Sequence, residues 1–212
     1  SNNTPYKSLL IFHGVGVGKT CSGVSIAENF KNNNNKTIIL APEKIQLGWK
    51  KNIYDPFKGK NQCTGNEYNY EEDKYEKNKE KFANKKINEN YEMFGYLSFS
   101  NSVKKYLNEN LKSISKKEIL FRKQKEIELI KNKYSNRVLI IDEVHNIRND
   151  SKKSDTSLYI KKVIKYSDNL RLILLTANPM FNQPEEIIWI LNMLLINDKK
   201  KEIKNDKIFD EN

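Results

Sequence analysis

Cysteine is nearly absent. Cys21 and Cys63 are the only two among 212 residues, and no C-x-x-C pair exists. With that spacing neither a disulfide framework nor a zinc site is indicated. Both cysteines read as reduced thiols in an intracellular protein. Long apolar runs are also missing: none approaches the ~20 residues of a membrane-spanning helix, and no charged-then-apolar leader opens the chain. No membrane partner is expected. Hydrophobic residues make up only 37% of the chain and charged residues 31%, so the core must come from a few short segments. The length suits one well-buried core and is too short for two large domains. The chain opens on Ser1 rather than Met, which fits a piece of a longer protein. What it has in excess is positive charge, formally +11. Such a charge favours a polyanion, nucleic acid before membrane, although solvated lysine-rich surfaces are common.

The apolar segments are "SLLIF" (8–12), "TIILA" (37–41), "FGYLSF" (94–99), "RVLII" (137–141) and "LRLILL" (170–175). They are continuous rather than alternating, as in strands buried on both faces. Helical patterns over 19–31, 43–54, 101–111, 154–166 and 184–195 separate several of them. The alternation predicts an α/β domain around a mostly parallel sheet. "NNNN" at 32–35 is read as a turn. Residues 58–92 are polar, tyrosine-dotted and nearly free of aliphatics, which predicts an insertion with little core of its own. Residues 111–134 read as one charged helix with a thin stripe of Leu111, Ile114, Ile119, Ile127 and Ile130.

Between the first strand and the first helix lies "HGVGVGKT" (13–20). A phosphate-binding loop is G-x-x-x-x-G-K-[ST], and here His13 stands at its first glycine. Gly14, Gly16 and Gly18 let the backbone curl and aim several N–H groups at one point. In this reading the loop Gly14, Val15, Gly16, Val17, Gly18, Lys19, Thr20 and Cys21 binds nucleotide. Lys19 supplies a charge for the β- and γ-phosphates, Thr20 a hydroxyl for Mg²⁺, and the helix its N-terminal dipole. His13 could pack over the loop or touch a neighbouring motif, and simple packing is the preferred expectation.

"RVLIIDEVHNIRND" (137–150) is an apolar strand ending in adjacent carboxylates, the Walker B arrangement. Asp142 would hold Mg²⁺ and Glu143 would orient and activate water, both at a strand's carboxyl end beside the loop. Alone it could be a solvated acidic turn. With the lysine loop upstream, an ATP site is the stronger reading.

These motifs carry a resemblance. "DEVH" (142–145) has the D-E-x-H form of superfamily 2 helicases and translocases, and "LLTANP" (174–179) stands where they carry motif III. "LLTANPMFNQPEEIIWILNMLL" is similar to a segment of Swi/Snf-like ATPases, and "LAPEKIQLGWKKNI" (40–53) to their motif Ia. The chain most resembles the nucleoside triphosphatases and early transcription factor helicases of poxviruses and other large DNA viruses. These share a histidine at the loop's first position, and "QCTGNEY" (62–68) and "FGYLSFSNSV" (94–103) are similar to their segments. The resemblance implies a RecA-like P-loop lobe over 1–197, with 198–212 a charged linker or the start of a second lobe. It implies ATP and Mg²⁺ as cofactors, and a catalytic set of Lys19, Glu143 and His145. His145, Thr176 and Ala177 would couple the nucleotide site to nucleic acid. Lys44, Gln46, Trp49, Lys50, Ser98 and Ser100 would be candidate strand contacts. DNA is the favoured nucleic acid, in viral transcription or genome handling. The second RecA-like lobe and transcription machinery are the implied partners, and host cytoplasm and virion the implied locations.

The arginine-finger motif Q-x-x-G-R-x-x-R of the second lobe is missing after residue 197. Arg122, Arg137, Arg148 and Arg171 sit in other contexts, so the piece is expected to bind nucleotide better than it hydrolyses it. Two other readings compete: another P-loop NTPase, such as a kinase, and a basic nucleic-acid-binding scaffold with a vestigial nucleotide site. DEVH followed by TAN disfavours the first. Intact Lys19, Thr20, Asp142 and Glu143 disfavour the second.

Overall fold

The computed structural model describes residues 5–14, 16, 18–30, 36–55, 57–58, 61–65, 79–147, 155–179 and 185–204. Five strands form one parallel sheet: β1 (Ser8–Phe12), β2 (Thr37–Leu40), β3 (Tyr91–Phe94), β4 (Val138–Ile141) and β5 (Arg171–Thr176). Their spatial order is β1-β5-β4-β2-β3. The helices are α1 (Lys19–Asn29), α2 (Glu43–Ile53), α3 (Lys79–Asn90), α4 (Tyr96–Asn110), α5 (Ile119–Tyr134), α6 (Thr156–Tyr166) and α7 (Glu185–Asn197). This is the α/β architecture with a parallel sheet expected from the alternating segments, and it agrees with the RecA-like lobe that the resemblance implies.

The sequence patterns follow each strand's place. "TIIL" and "VLII" are buried at every position because β2 and β4 are interior strands covered on both faces. β1 lies at an edge, and its Leu9 and Phe12 stay exposed. Alternate residues of each strand then divide between two cores. Ile39, Ile140, Ile173 and Leu175 meet Val24 and Ala27 of α1, Trp49 and Ile53 of α2, and Ile87 of α3. Ile38, Leu139, Ile141 and Leu174 meet α4 to α7 through Phe99, Val103, Ile130, Ile160, Val163 and Met193. Each fully buried Ile or Leu contributes about 1.5–3 kcal/mol, so these few strand residues hold both layers in place.

Four expectations are corrected. The segment at 94–99 is not a strand: β3 ends at Phe94, and Tyr96 to Phe99 open α4, because Phe99, Val103 and Leu107 recur at helical spacing toward one core. The 111–134 stretch is not one helix. Leu111 caps α4, a turn follows, and α5 begins at Ile119. Arg122 fixes that turn by donating to the carbonyls of Leu111 (2.8 Å) and Ile114 (3.1 Å). The 58–92 insertion does contribute core, since α3 buries Ala83 and Ile87; its residues 59–60 and 66–78 lie outside the described part, as does the 32–35 turn. Finally, Cys21 and Cys63 are joined as a disulfide, with Cα atoms 5.2 Å apart. A separation of 42 residues hides a pairing that only packing creates. The loop carrying Cys63 is held against α1 and α2 by Ser25 Oγ donating to the Cys63 carbonyl (2.9 Å) and Thr64 Oγ1 to the Ile53 carbonyl (2.8 Å).

Candidate nucleotide site

In a parallel sheet every strand delivers its carboxyl end to the same edge, where ligands of open α/β sheets bind. β1 there runs into the glycine loop, β4 into Asp142 and Glu143, and β5 ends at Thr176. The loop turns on Gly16 (φ 81) and Gly18 (φ 84), left-handed conformations that a side chain would strain. Gly18 is the N-cap of α1, and nothing fills the space a Cβ would occupy at Gly14, Gly16 or Gly18. Val15 and Val17 lie outside the described residues. The His13 side chain is exposed, against the expected packing, and its backbone N–H donates to the Thr176 carbonyl at 3.4 Å.

Lys19 and Thr20 stand in the first turn of α1, both half-buried. Lys19 Nζ reaches across to Glu143 Oε1 at 2.7 Å and Asp142 Oδ1 at 3.9 Å. The strand order puts β5 between β1 and β4, so only the loop and a long side chain close this gap. Asp142 is 3% exposed. Its Oδ1 accepts from the Glu143 N–H (3.0 Å) and its Oδ2 from Trp49 Nε1–H (2.9 Å). Burial pushes the Asp142 carboxyl above its ordinary pKa; the Trp49 hydrogen bond and then the Lys19 charge oppose this. Glu143 adopts φ 48, a left-handed backbone uncommon outside glycine. The Tyr96 hydroxyl faces that turn, 2.5 Å from the Asp142 carbonyl and 3.2 Å from that of Glu143.

His145 Nδ1 lies 2.9 Å from Thr176 Oγ1 and 3.5 Å from Glu143 Oε2. Thr176 Oγ1 also accepts from the Asn178 N–H at 3.0 Å, so its own proton is available to His145. Ala177 follows at the exit of β5. The motifs on β4 and β5 are thus bonded to each other beside the loop lysine. Tyr96 and Asn178 were not singled out by the sequence; Tyr96 lay inside a segment read as a strand.

The residues present suit a metal ion and a phosphate chain. Glu143 Oε2 is buried and has no hydrogen-bond partner, an unsatisfied acceptor of the kind a bound water or ion completes. The Asp142 carboxylate and the Thr20 hydroxyl are hard oxygen donors of the type Mg²⁺ takes.

The candidate strand contacts separate into two groups. Lys44 and Ser98 are exposed and Lys50 is half-buried. Gln46 donates to the Ala41 carbonyl (3.0 Å) at the start of α2. Trp49 is 1% exposed and bonded to Asp142, and Ser100 is 2% exposed and bonded to the Asp155 carbonyl (3.3 Å). Neither of these two presents itself to a nucleic acid, which corrects that expectation for both.

Residues 3–181 match the family described as "Type III restriction enzyme, res subunit" (ResIII). The chain belongs to the ResIII family. This ResIII helicase-family domain is also similar to proteins of large DNA viruses. It is 33% identical over 197 residues to "Putative ATP-dependent RNA helicase R563" of Acanthamoeba polyphaga mimivirus, covering 92% of the chain and 30% of that protein. It is 34% identical over 230 residues to "Putative ATP-dependent RNA helicase L377" of the same virus, covering 98% and 19%. With "Putative helicase 087L" of Invertebrate iridescent virus 3 it shares 28% identity over 202 residues, covering 91% and 19%. The ResIII domain therefore spans less than a third of the length of these relatives. Among its described residues, no helix is long and apolar enough to cross a membrane.

Proposed function

We propose that this ResIII domain is the ATP-binding lobe of a nucleic-acid-dependent ATPase of the DExH type. The observation that carries this is the convergence of the loop lysine on the two strand-end carboxylates, with Lys19 Nζ 2.7 Å from Glu143 Oε1 and 3.9 Å from Asp142 Oδ1. ATP would lie over the glycine loop, its phosphates met by backbone N–H groups, the α1 N-terminus and Lys19. Thr20 and Asp142 would hold Mg²⁺, which supplies charge neutralisation on the phosphates when bound. For Lys19 to reach the phosphates it must leave Glu143, so nucleotide binding frees that carboxylate. Glu143 then orients the attacking water and takes its proton. His145 and Thr176 bridge β4 and β5 beside Glu143, and Ala177 leads away from the bridge. The bridge supports a coupling role for the three, between the nucleotide and the strand ends.

The track we assign is DNA, in viral transcription or genome handling, with the host cytoplasm and virion as sites of action. The likeness to the large DNA viruses' enzymes and the +11 charge support it. Two relatives are named as RNA helicases, so RNA is the alternative to test. The second lobe of the same protein would close the cleft. The test is titration of a fluorescent ATP analogue with and without Mg²⁺ on the wild type and Lys19→Ala, followed by DNA- and RNA-stimulated hydrolysis by the full-length protein. Binding that survives Lys19→Ala unchanged removes the assignment. Stimulation by RNA alone moves the track to RNA.

A further inference from the structure

Trp49 lies on α2, well apart in sequence from the glycine loop and the carboxylates, yet its indole N–H donates to Asp142 Oδ2 at 2.9 Å. The contact is buried at both ends, with Trp49 1% and Asp142 3% exposed. An indole N–H only donates, so this bond favours the ionised carboxylate and fixes its rotation. The other oxygen, Oδ1, is held by the Glu143 N–H at 3.0 Å. Both oxygens thus have a set direction before any ion arrives. The ring itself is clamped: a Cβ added at Gly23 of α1 would come within 3.3 Å of Trp49 Cη2 and 3.2 Å of Leu175 Cδ1. Gly23 is one turn beyond Thr20, so the helix that carries the phosphate loop braces the indole that holds the carboxylate.

We propose that Trp49 is a positioning residue for the Mg²⁺ carboxylate, setting Asp142 for the ion through its Nε1–H while α1 holds the ring. The inference rests on the ATP-site reading above. It gives α2 a role facing inward: Ile45, Trp49 and Ile53 recur every fourth residue toward the sheet, whereas Lys44, Leu47 and Lys51 are exposed. The inner face of this helix is then tied directly to the metal ligand. Outer-sphere partners of this kind alter metal affinity by about 10–100-fold.

Trp49→Phe keeps the ring and removes the N–H. Affinity for a fluorescent ATP analogue is measured in chelator and across a Mg²⁺ titration. Metal-free affinity should stay within about twofold of wild type, while the Mg²⁺ midpoint rises by about 10–100-fold. A Mg²⁺ midpoint equal to wild type overturns the inference and leaves the ATP site standing. Equal losses with and without Mg²⁺ also overturn it, since they mark a general packing defect. A wild-type chain that binds no nucleotide overturns the ATP-site reading and this inference together. A second measurement covers a variant that fails to fold. The chain has two tryptophans, so Trp189→Phe leaves Trp49 as the one indole emitter, excited selectively over the tyrosines. Its emission should shift when Mg²⁺ is added to the nucleotide complex, and Asp142→Asn should abolish that shift. Emission indifferent to Mg²⁺ overturns the proposal.

Discussion

Lys19 Nζ lies 2.7 Å from Glu143 Oε1, so the loop cation and the proposed water-activating carboxylate hold each other in the nucleotide-free domain. Each must give up the other to act. Glu143→Gln removes the charge that competes for Lys19, and the expected result is ATP affinity equal to or a few-fold above wild type. Hydrolysis should fall by about 10²–10⁴ with the loss of the base. Lys19→Ala should lose ATP binding while the domain still folds, with a lowered unfolding midpoint because the buried Asp142 and half-buried Glu143 carboxylates lose their cation. Isothermal titration together with steady-state hydrolysis separates the two variants.

The domain by itself should be a slow ATPase. Three of its four arginines are occupied elsewhere. Arg137 pairs with Glu92 (2.9 Å) and the Lys36 carbonyl (2.8 Å), Arg122 holds the 111–118 turn, and Arg171 lies over the Phe30 ring. Arg137 and Arg171 also sit at the amino ends of β4 and β5. The length of a strand, about 3.3 Å per residue, separates them from the nucleotide edge. Arg148 lies outside the described residues. An arginine finger adds about 10³–10⁵ in rate where one acts. Hydrolysis by residues 1–212 should therefore be far below that of the full-length protein with nucleic acid. Comparable rates would mean the site is complete without a second lobe.

How much of this was legible follows from where each signal lives. The interior strands β2 and β4 were readable because burial on both faces leaves continuous aliphatic runs. The placement of the glycine loop between β1 and α1, and of Asp142 and Glu143 directly after β4, was readable because both motifs have fixed residue types at fixed spacing beside an apolar run. Trp49 was placed on the right helix but offered as a strand contact, because α2 has apolar residues on both sides, Leu47 outward and Ile45 inward. Its true partner is distant in sequence. The Cys21–Cys63 pair was illegible for the same reason. "FGYLSF" failed because a short apolar run does not separate a strand from the start of a helix, and here Gly95 divides one from the other.

The disulfide gives a stability prediction. It closes a loop across 42 positions between α1 and the segment after α2. Restricting the unfolded chain over loops of this order is worth about 3–4.7 kcal/mol in the chain-entropy account. Cys63→Ser should lower the denaturant midpoint accordingly. A dithiol reductant should lower wild type to the same level and leave Cys63→Ser unmoved. A reductant effect that persists in the variant would place the loss elsewhere.

Alkaline pH tests the packing of α5. Burial pushes the Tyr134 phenol up to about 12, with the Arg137 charge and a Ser102 hydrogen bond opposing. Its folded pKa lies above the unfolded one of about 10. The stability tied to Tyr134 is therefore fully present below pH ~10 and is lost as pH rises toward 12. The phenolate absorbance should show a late-titrating component that Tyr134→Phe removes, and the variant's stability should fall less steeply over that window.

The last prediction concerns the nucleic acid surface. If the +11 charge serves a phosphate track, affinity should be independent of sequence and fall steeply with salt, because bound lysines displace counterions. Lys44 is exposed and Lys50 half-buried on α2, the helix whose inner face bonds to Asp142 through Trp49. A grip there would lie one helix away from the nucleotide. Lys116 and Lys117 stand exposed in the 111–118 turn, near the exposed Ile119, Leu120 and Phe121 at the start of α5. A mixed basic and apolar surface of that kind suits a protein partner better than a phosphate backbone. Charge-reversal pairs distinguish the two: Lys44→Glu with Lys50→Glu, and Lys116→Glu with Lys117→Glu, each titrated with single- and double-stranded DNA and with RNA across a salt series. The first pair should weaken binding uniformly across sequences and reduce the salt slope by about one per lysine removed. The second should change the slope less. The opposite ranking would move the track to the α4–α5 turn and leave α2 with only its inward role at Asp142.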